Sequence, residues 1–106
     1  MIEQRIYHSV DGKAPFEEWI SGLRNPSASA RIRTRIDRAG HENFGDYAAV
    51  GGGVLELRIH FGPGYRVYVG LYGEKLIILL CGGDKSTQDK NIRLAQEYWQ
   101  DYRRRT

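Results

Sequence analysis

VLELRIHFGPGYRVYVGLY, residues 54 to 72, reads as two strands joined at Gly62-Pro63-Gly64. In the first, Leu55, Leu57, Ile59 and Phe61 alternate with Val54, Glu56, Arg58 and His60. In the second, Tyr65, Val67, Val69 and Leu71 alternate with Arg66, Tyr68, Gly70 and Tyr72. Side chains on a strand change face at every residue, so a slip of one would send each apolar set to the wrong side. Keeping both apolar sets together demands an odd loop. The pairing expected is therefore Phe61 with Tyr65, His60 with Arg66 and Arg58 with Tyr68. Two arginines, a histidine and a tyrosine then share one patch of one sheet face.

On the C-terminal side, Tyr72-Gly73-Glu74 marks a second turn, and Lys75 to Cys81 is a continuous apolar strand of the kind covered on both faces. It stops at Gly82-Gly83-Asp84-Lys85. Ser86-Thr87-Gln88-Asp89 resembles a capping box, and Ile92, Ala95, Trp99 and Tyr102 give the following helix its apolar face. The end Arg103-Arg104-Arg105 reads as a frayed, solubilising tail. On the N-terminal side, Ile2 to Tyr7 makes a short first strand. Pro15 opens a helix carrying Phe16, Trp19, Ile20 and Leu23 at helical spacing. A second helix restarts at Asn25-Pro26-Ser27, with Ala28, Ile32, Ile36 and Ala39 as its buried stripe. His41 to Gly53 is a loop with a short strand near Tyr47 to Val50. The expected fold is one α+β domain over residues 1–106: a small, mostly antiparallel sheet, two N-terminal helices and one C-terminal helix, packed on one side.

Composition narrows the function classes. The 106 residues are 41% hydrophobic and 27% charged, with a single cysteine, Cys81, that reads as a buried small hydrophobe in a reducing compartment. The N-terminus MIEQRIYHSV lacks the apolar core of a signal peptide, and no run of about 20 apolar residues exists. A cytoplasmic protein without membrane contact is expected. The net charge of +3 comes from 12 arginines against 4 lysines, and arginine's planar fork suits phosphate. Arg31, Arg35 and Arg38 share one face of the second helix. That face reads either as a solvated one with ion pairs to Asp37 and Glu42 or as an arm tracking a nucleic-acid backbone.

Metal hydrolysis has little support, because His8, His41 and His60 lie on separate elements without ligand spacing. No cofactor motif and no nucleophile elbow occur. Asp84-Lys85 ends a buried strand just before a helix N-terminus, where an anion is welcome. If that strand lies beside the second hairpin strand, Lys85 approaches Arg66. Such a patch suits RNA cleavage without metal: Arg58, Arg66 and Lys85 would stabilise the phosphorane, and His60 would move the proton near neutrality. Tyr65 or Tyr68 would stack a base. The plain alternative is an ordinary strand face with charges balanced by Glu56.

The segments LELRIHFGPGYRVYVG (55–70) and LLCGGDKSTQDKNIRLAQEYW (79–99) resemble the RelE/ParE superfamily of bacterial toxin–antitoxin toxins, most of all its HigB-like "addiction module killer protein" branch. The resemblance implies a RelE-like fold and metal-free cleavage of messenger RNA, typically on the ribosome. It also implies neutralisation by a cognate antitoxin, in this branch a small helix-turn-helix protein of HigA type, with operator DNA bound only through that complex. The site residues it implies are Arg58, His60, Arg66 and Lys85, with Asp84 as neighbour. RelE toxins place a functional tyrosine near the C-terminus, whereas Tyr98 and Tyr102 here have core-like spacing. ParE-type relatives poison DNA gyrase instead, and a non-catalytic nucleic-acid-binding module is the third reading.

Overall fold

The computed structural model of the chain describes residues 1–106. In chain order the elements are β1 (Glu3–Ile6), α1 (Pro15–Ser21), α2 (Pro26–Gly40), β2 (Tyr47–Ala49), β3 (Val54–Ile59), β4 (Tyr65–Tyr72), β5 (Leu76–Asp84), a single 3₁₀ turn (Lys85–Thr87) and α3 (Gln88–Arg105). The five strands form one sheet in the order β1-β5-β4-β3-β2. Strands β2 to β5 form an antiparallel meander, and β1 joins β5 in parallel. The fold is α+β with a mixed sheet. No helix is long and apolar enough to cross a membrane.

Helices cover both faces, not one. Below the sheet, α1 and α2 bury Phe16, Ile20, Ile32 and Ile36 against Leu57, Val67, Val69 and Ile77. Above it, α3 buries Ala95 and Trp99 against Val54, Tyr68, Ile78 and Leu80. Strand β5 sits between two neighbours with both its faces covered, which is what its unbroken apolar run requires. Two tryptophans lie directly on strand glycines. A Cβ at Gly82 would fall 2.2 Å from the Trp19 ring, and one at Gly70 would fall 2.3 Å from the Trp99 ring.

Local signals set the helix ends. The Asn25 side chain accepts from the N–H groups of Ser27 (2.9 Å) and Ala28 (3.3 Å), capping α2. At the other helix the capping box moves upstream. Asp84 accepts from Ser86 N–H at 2.8 Å and Thr87 answers from the third position, so the box closes the 3₁₀ turn and not the first turn of α3. The C-terminal arginines are helical through Arg105, whose guanidinium donates to Asp101 (2.8 Å) and to the His8 carbonyl (2.5 Å). That tie to the start of the chain replaces the frayed tail.

The hairpin keeps the expected faces but not the expected register. The pairs are Ile59 with Tyr65, Arg58 with Arg66, Leu57 with Val67 and Glu56 with Tyr68, a shift of two. The loop is His60 to Gly64, five residues instead of three. Both counts are odd, so parity is preserved. Phe61 N–H folds back onto Ile59 C=O (2.9 Å), Gly64 N–H reaches Phe61 C=O (3.1 Å), and Gly62 and Gly64 take φ of 56° and 81°. Phe61 leaves the sheet and lies under Arg31, whose Cζ is 4.5 Å from the ring centroid.

Candidate functional site

The shifted register sets two guanidinium groups opposite each other, an arrangement that repels unless a counter-charge lies between them. Glu56 supplies it. Its side chain is 0% exposed and accepts hydrogen bonds from Arg58 Nε, Tyr68 OH and Gln88 Nε2, each at 2.9 Å. Arg66 Nε stands 3.8 Å from the same carboxylate oxygen that Arg58 holds. Burial alone would push the Glu56 carboxyl up, but the bonds from Gln88, Arg58 and Tyr68 outweigh it and hold it below the ordinary glutamate value. Burial and Glu56 push the Tyr68 hydroxyl far up, so it stays a donor.

This network divides the expected residues. Arg66 is 7% exposed and belongs to the interior, with Nη1 on the Gly64 carbonyl at 3.3 Å. Tyr68 is fully buried and has no face to offer a base, which removes it as a stacking residue. Tyr65 lies on the opposite sheet face from Arg66, edge-on to Trp19 with centroids 6.3 Å apart. Arg58 emerges at the margin with 34% of its side chain exposed. Lys85 does approach the hairpin end: a Cβ at Gly64 would lie 3.5 Å from Arg66 Nη1 and 3.6 Å from Lys85 Cβ. Asp84 is spent on capping.

His60 does not face Arg66. Released from the strand, it turns to the sheet edge beyond β2 and bonds Asp46 through Nε2, with 72% of its side chain exposed. That bond, ahead of Arg58 and Arg35, holds the Asp46 carboxyl below the usual aspartate range. An ionised Asp46 requires Nε2 to carry a proton, so in the neutral form of the imidazole Nδ1 is the acceptor.

The pair opens into a groove of about 440 Å³ lined by Arg31, Thr34, Arg35 and Arg38 of α2, Gly45, Asp46, Arg58 and Phe61. The helix arginines and the hairpin residues, which sequence spacing leaves apart, thus meet at one opening. Arg31 and Arg38 are exposed, whereas Arg35 is partly buried and donates from Nη2 to the Asp46 carbonyl at 2.7 Å. The guanidiniums of Arg31, Arg38 and Arg58 beside an oriented imidazole can bind a phosphodiester and move a proton at it. Two residues central to this geometry, Glu56 and Asp46, escape a reading of the sequence as site residues. Glu56 carries the hint of being the one carboxylate on an arginine-bearing strand face. Asp46 carries none, because it lies in an aperiodic loop.

No family model matches the chain. A protein of Haemophilus influenzae (strain ATCC 51907 / DSM 11121 / KW20 / Rd) that bears the name "Uncharacterized protein" is 53% identical to it over 81 residues, covering 76% of this chain and 82% of the relative. The chain belongs to one family with that protein.

Proposed function

We propose that this member of the family shared with the Haemophilus influenzae protein is a metal-independent endoribonuclease, acting as the toxin of a toxin–antitoxin module on messenger RNA at the ribosome. The observation that carries the proposal is the exposed His60–Asp46 pair opening into a groove with four arginines. His60 Nδ1 takes the proton of a ribose 2′-hydroxyl, and the 2′-oxygen attacks the adjacent phosphorus. Arg58, with Arg31 and Arg38, neutralises the charge that develops on the phosphorane oxygens. The 5′-oxygen leaves and takes a proton from Lys85, which opens the 3₁₀ turn after β5 beside Gly64 of the hairpin loop. The product ends in a 2′,3′-cyclic phosphate.

The resemblance of residues 55–70 and 79–99 to RelE/ParE toxins supports the same reading, and with it a helix-turn-helix antitoxin as partner and a cytoplasmic site of action. Induction of the chain alone in a bacterial host tests it. Growth should stop, and primer extension should find new 5′ ends inside transcripts. Arrest with intact transcripts and broken chromosomal DNA would point to a gyrase poison. Salt-dependent RNA binding without arrest would point to a binding module.

A further inference from the structure

We infer that Arg35 is a positioning residue for the His60 imidazole, acting through Asp46 and not by touching a substrate; this rests on the groove being the RNA-cleaving site. Asp46 lies between α2 and β2 in neither helix nor strand, so no periodic hydrogen bonding sets its direction. Contacts from outside set it. Its carbonyl accepts Arg58 N–H at 3.0 Å and Arg35 Nη2 at 2.7 Å, while its carboxylate holds His60 Nε2 with Arg58 Nη1 at 4.0 Å.

The Arg35 guanidinium is fitted to the loop from below. A Cβ at Gly45 would come 2.9 Å from its Cζ, and Gly45 takes a φ of 59°, so glycine supplies both the conformation and the space. Arg35 Nη1 is buried without a partner. Only one of its two terminal nitrogens is bonded, and that one reaches Asp46. A substrate-gripping arginine would present its fork to solvent, as the exposed Arg31 and Arg38 do in the same groove. The four groove arginines therefore differ in task. Arg31, Arg38 and Arg58 face the phosphate, and Arg35 braces the backbone of Asp46, whose carboxylate fixes which ring nitrogen carries the proton.

The test reads the ring itself. In protein labelled with ¹⁵N-histidine, ring-nitrogen shifts of the neutral imidazole report the tautomer of His60. The wild type and Arg38→Met should show a single Nε2–H form. Arg35→Met and Asp46→Asn should both show a mixture. Arg35→Lys, which keeps charge and stem but loses the planar fork, should behave as Arg35→Met and covers the case in which the methionine variant fails to fold. In cleavage assays Arg35→Met should lower kcat by roughly tenfold or more, less than the roughly hundredfold or greater loss expected when the proton-transfer group itself is removed, and leave KM nearly unchanged. The double variant with Asp46→Asn should be no worse than Asp46→Asn alone. A single tautomer in both Arg35 variants, or a raised KM with kcat retained, overturns the inference. A locked tautomer in a wild type that cuts no RNA overturns the functional reading instead.

Discussion

Glu56 shows how one residue can hold a cationic hairpin together. A carboxylate with no solvent contact is expensive unless several donors meet it, and four groups converge here: Arg58, Arg66, Tyr68 and Gln88. Glu56→Ala strands these donors in the interior and should cost about 3–5 kcal/mol in denaturant unfolding. Its pH dependence follows from the lowered folded-state pKa. A depressed carboxyl contributes stability that is fully present above the ordinary value of 4.5 and is lost as pH falls through the folded value. The wild type should therefore lose stability steeply below pH 4.5, and Glu56→Gln should flatten that acid limb while lowering the plateau near neutrality. The same network changes what an Arg66 substitution means. Arg66→Ala removes a buried partner of Glu56 and should destabilise the fold by about 1–3 kcal/mol, so lost activity there would not mark Arg66 as a contact to RNA.

Among the elements, the helices were the most legible and the hairpin register the least. Asn25-Pro26 with the stripe Ala28, Ile32, Ile36 and Ala39 places α2 almost to the residue, because cap and period agree. The hairpin's faces follow from parity, yet parity cannot separate a loop of three from one of five, and Gly62-Pro63-Gly64 fits either. The placement of α3 on the second face was hidden for a different reason. That face of β3 and β4 carries Glu56, Arg58, Arg66, Tyr68 and Gly70, which in one dimension looks solvated. Burial there depends on a charge network and on glycines under a tryptophan, and neither leaves a hydrophobic pattern. Gly70→Ala and Gly82→Ala test this directly. Each new methyl would sit within 2.3 Å of an indole, and each should cost about 1–3 kcal/mol by overpacking. Gly70→Ala should shift the Trp99 environment and Gly82→Ala that of Trp19, which fluorescence of single-tryptophan variants would separate.

Across the whole molecule, the candidate site gathers at one end of the sheet. The loop before β2, the end of β3, the His60–Gly64 turn and the end of β5 meet there, with α2 closing the groove. Arg58 and His60 are legible in the sequence because they run into the turn, and Lys85 because it follows a buried strand just before a helix. Asp46 is not, because its role exists only through tertiary contacts. Charge acts at this scale too. If the groove binds RNA, affinity should fall linearly with salt on logarithmic axes, and Arg31→Ala and Arg38→Ala should each reduce the slope by about 0.7 for a single strand, whatever the base sequence. The most direct measurement is cleavage of messenger RNA on purified programmed ribosomes in the presence of a chelator, with the termini analysed chemically. Wild-type protein should leave 2′,3′-cyclic phosphate ends, and His60→Ala should be slower by about a hundredfold or more while remaining folded. Uncut message, or full activity in folded His60→Ala, would contradict the account.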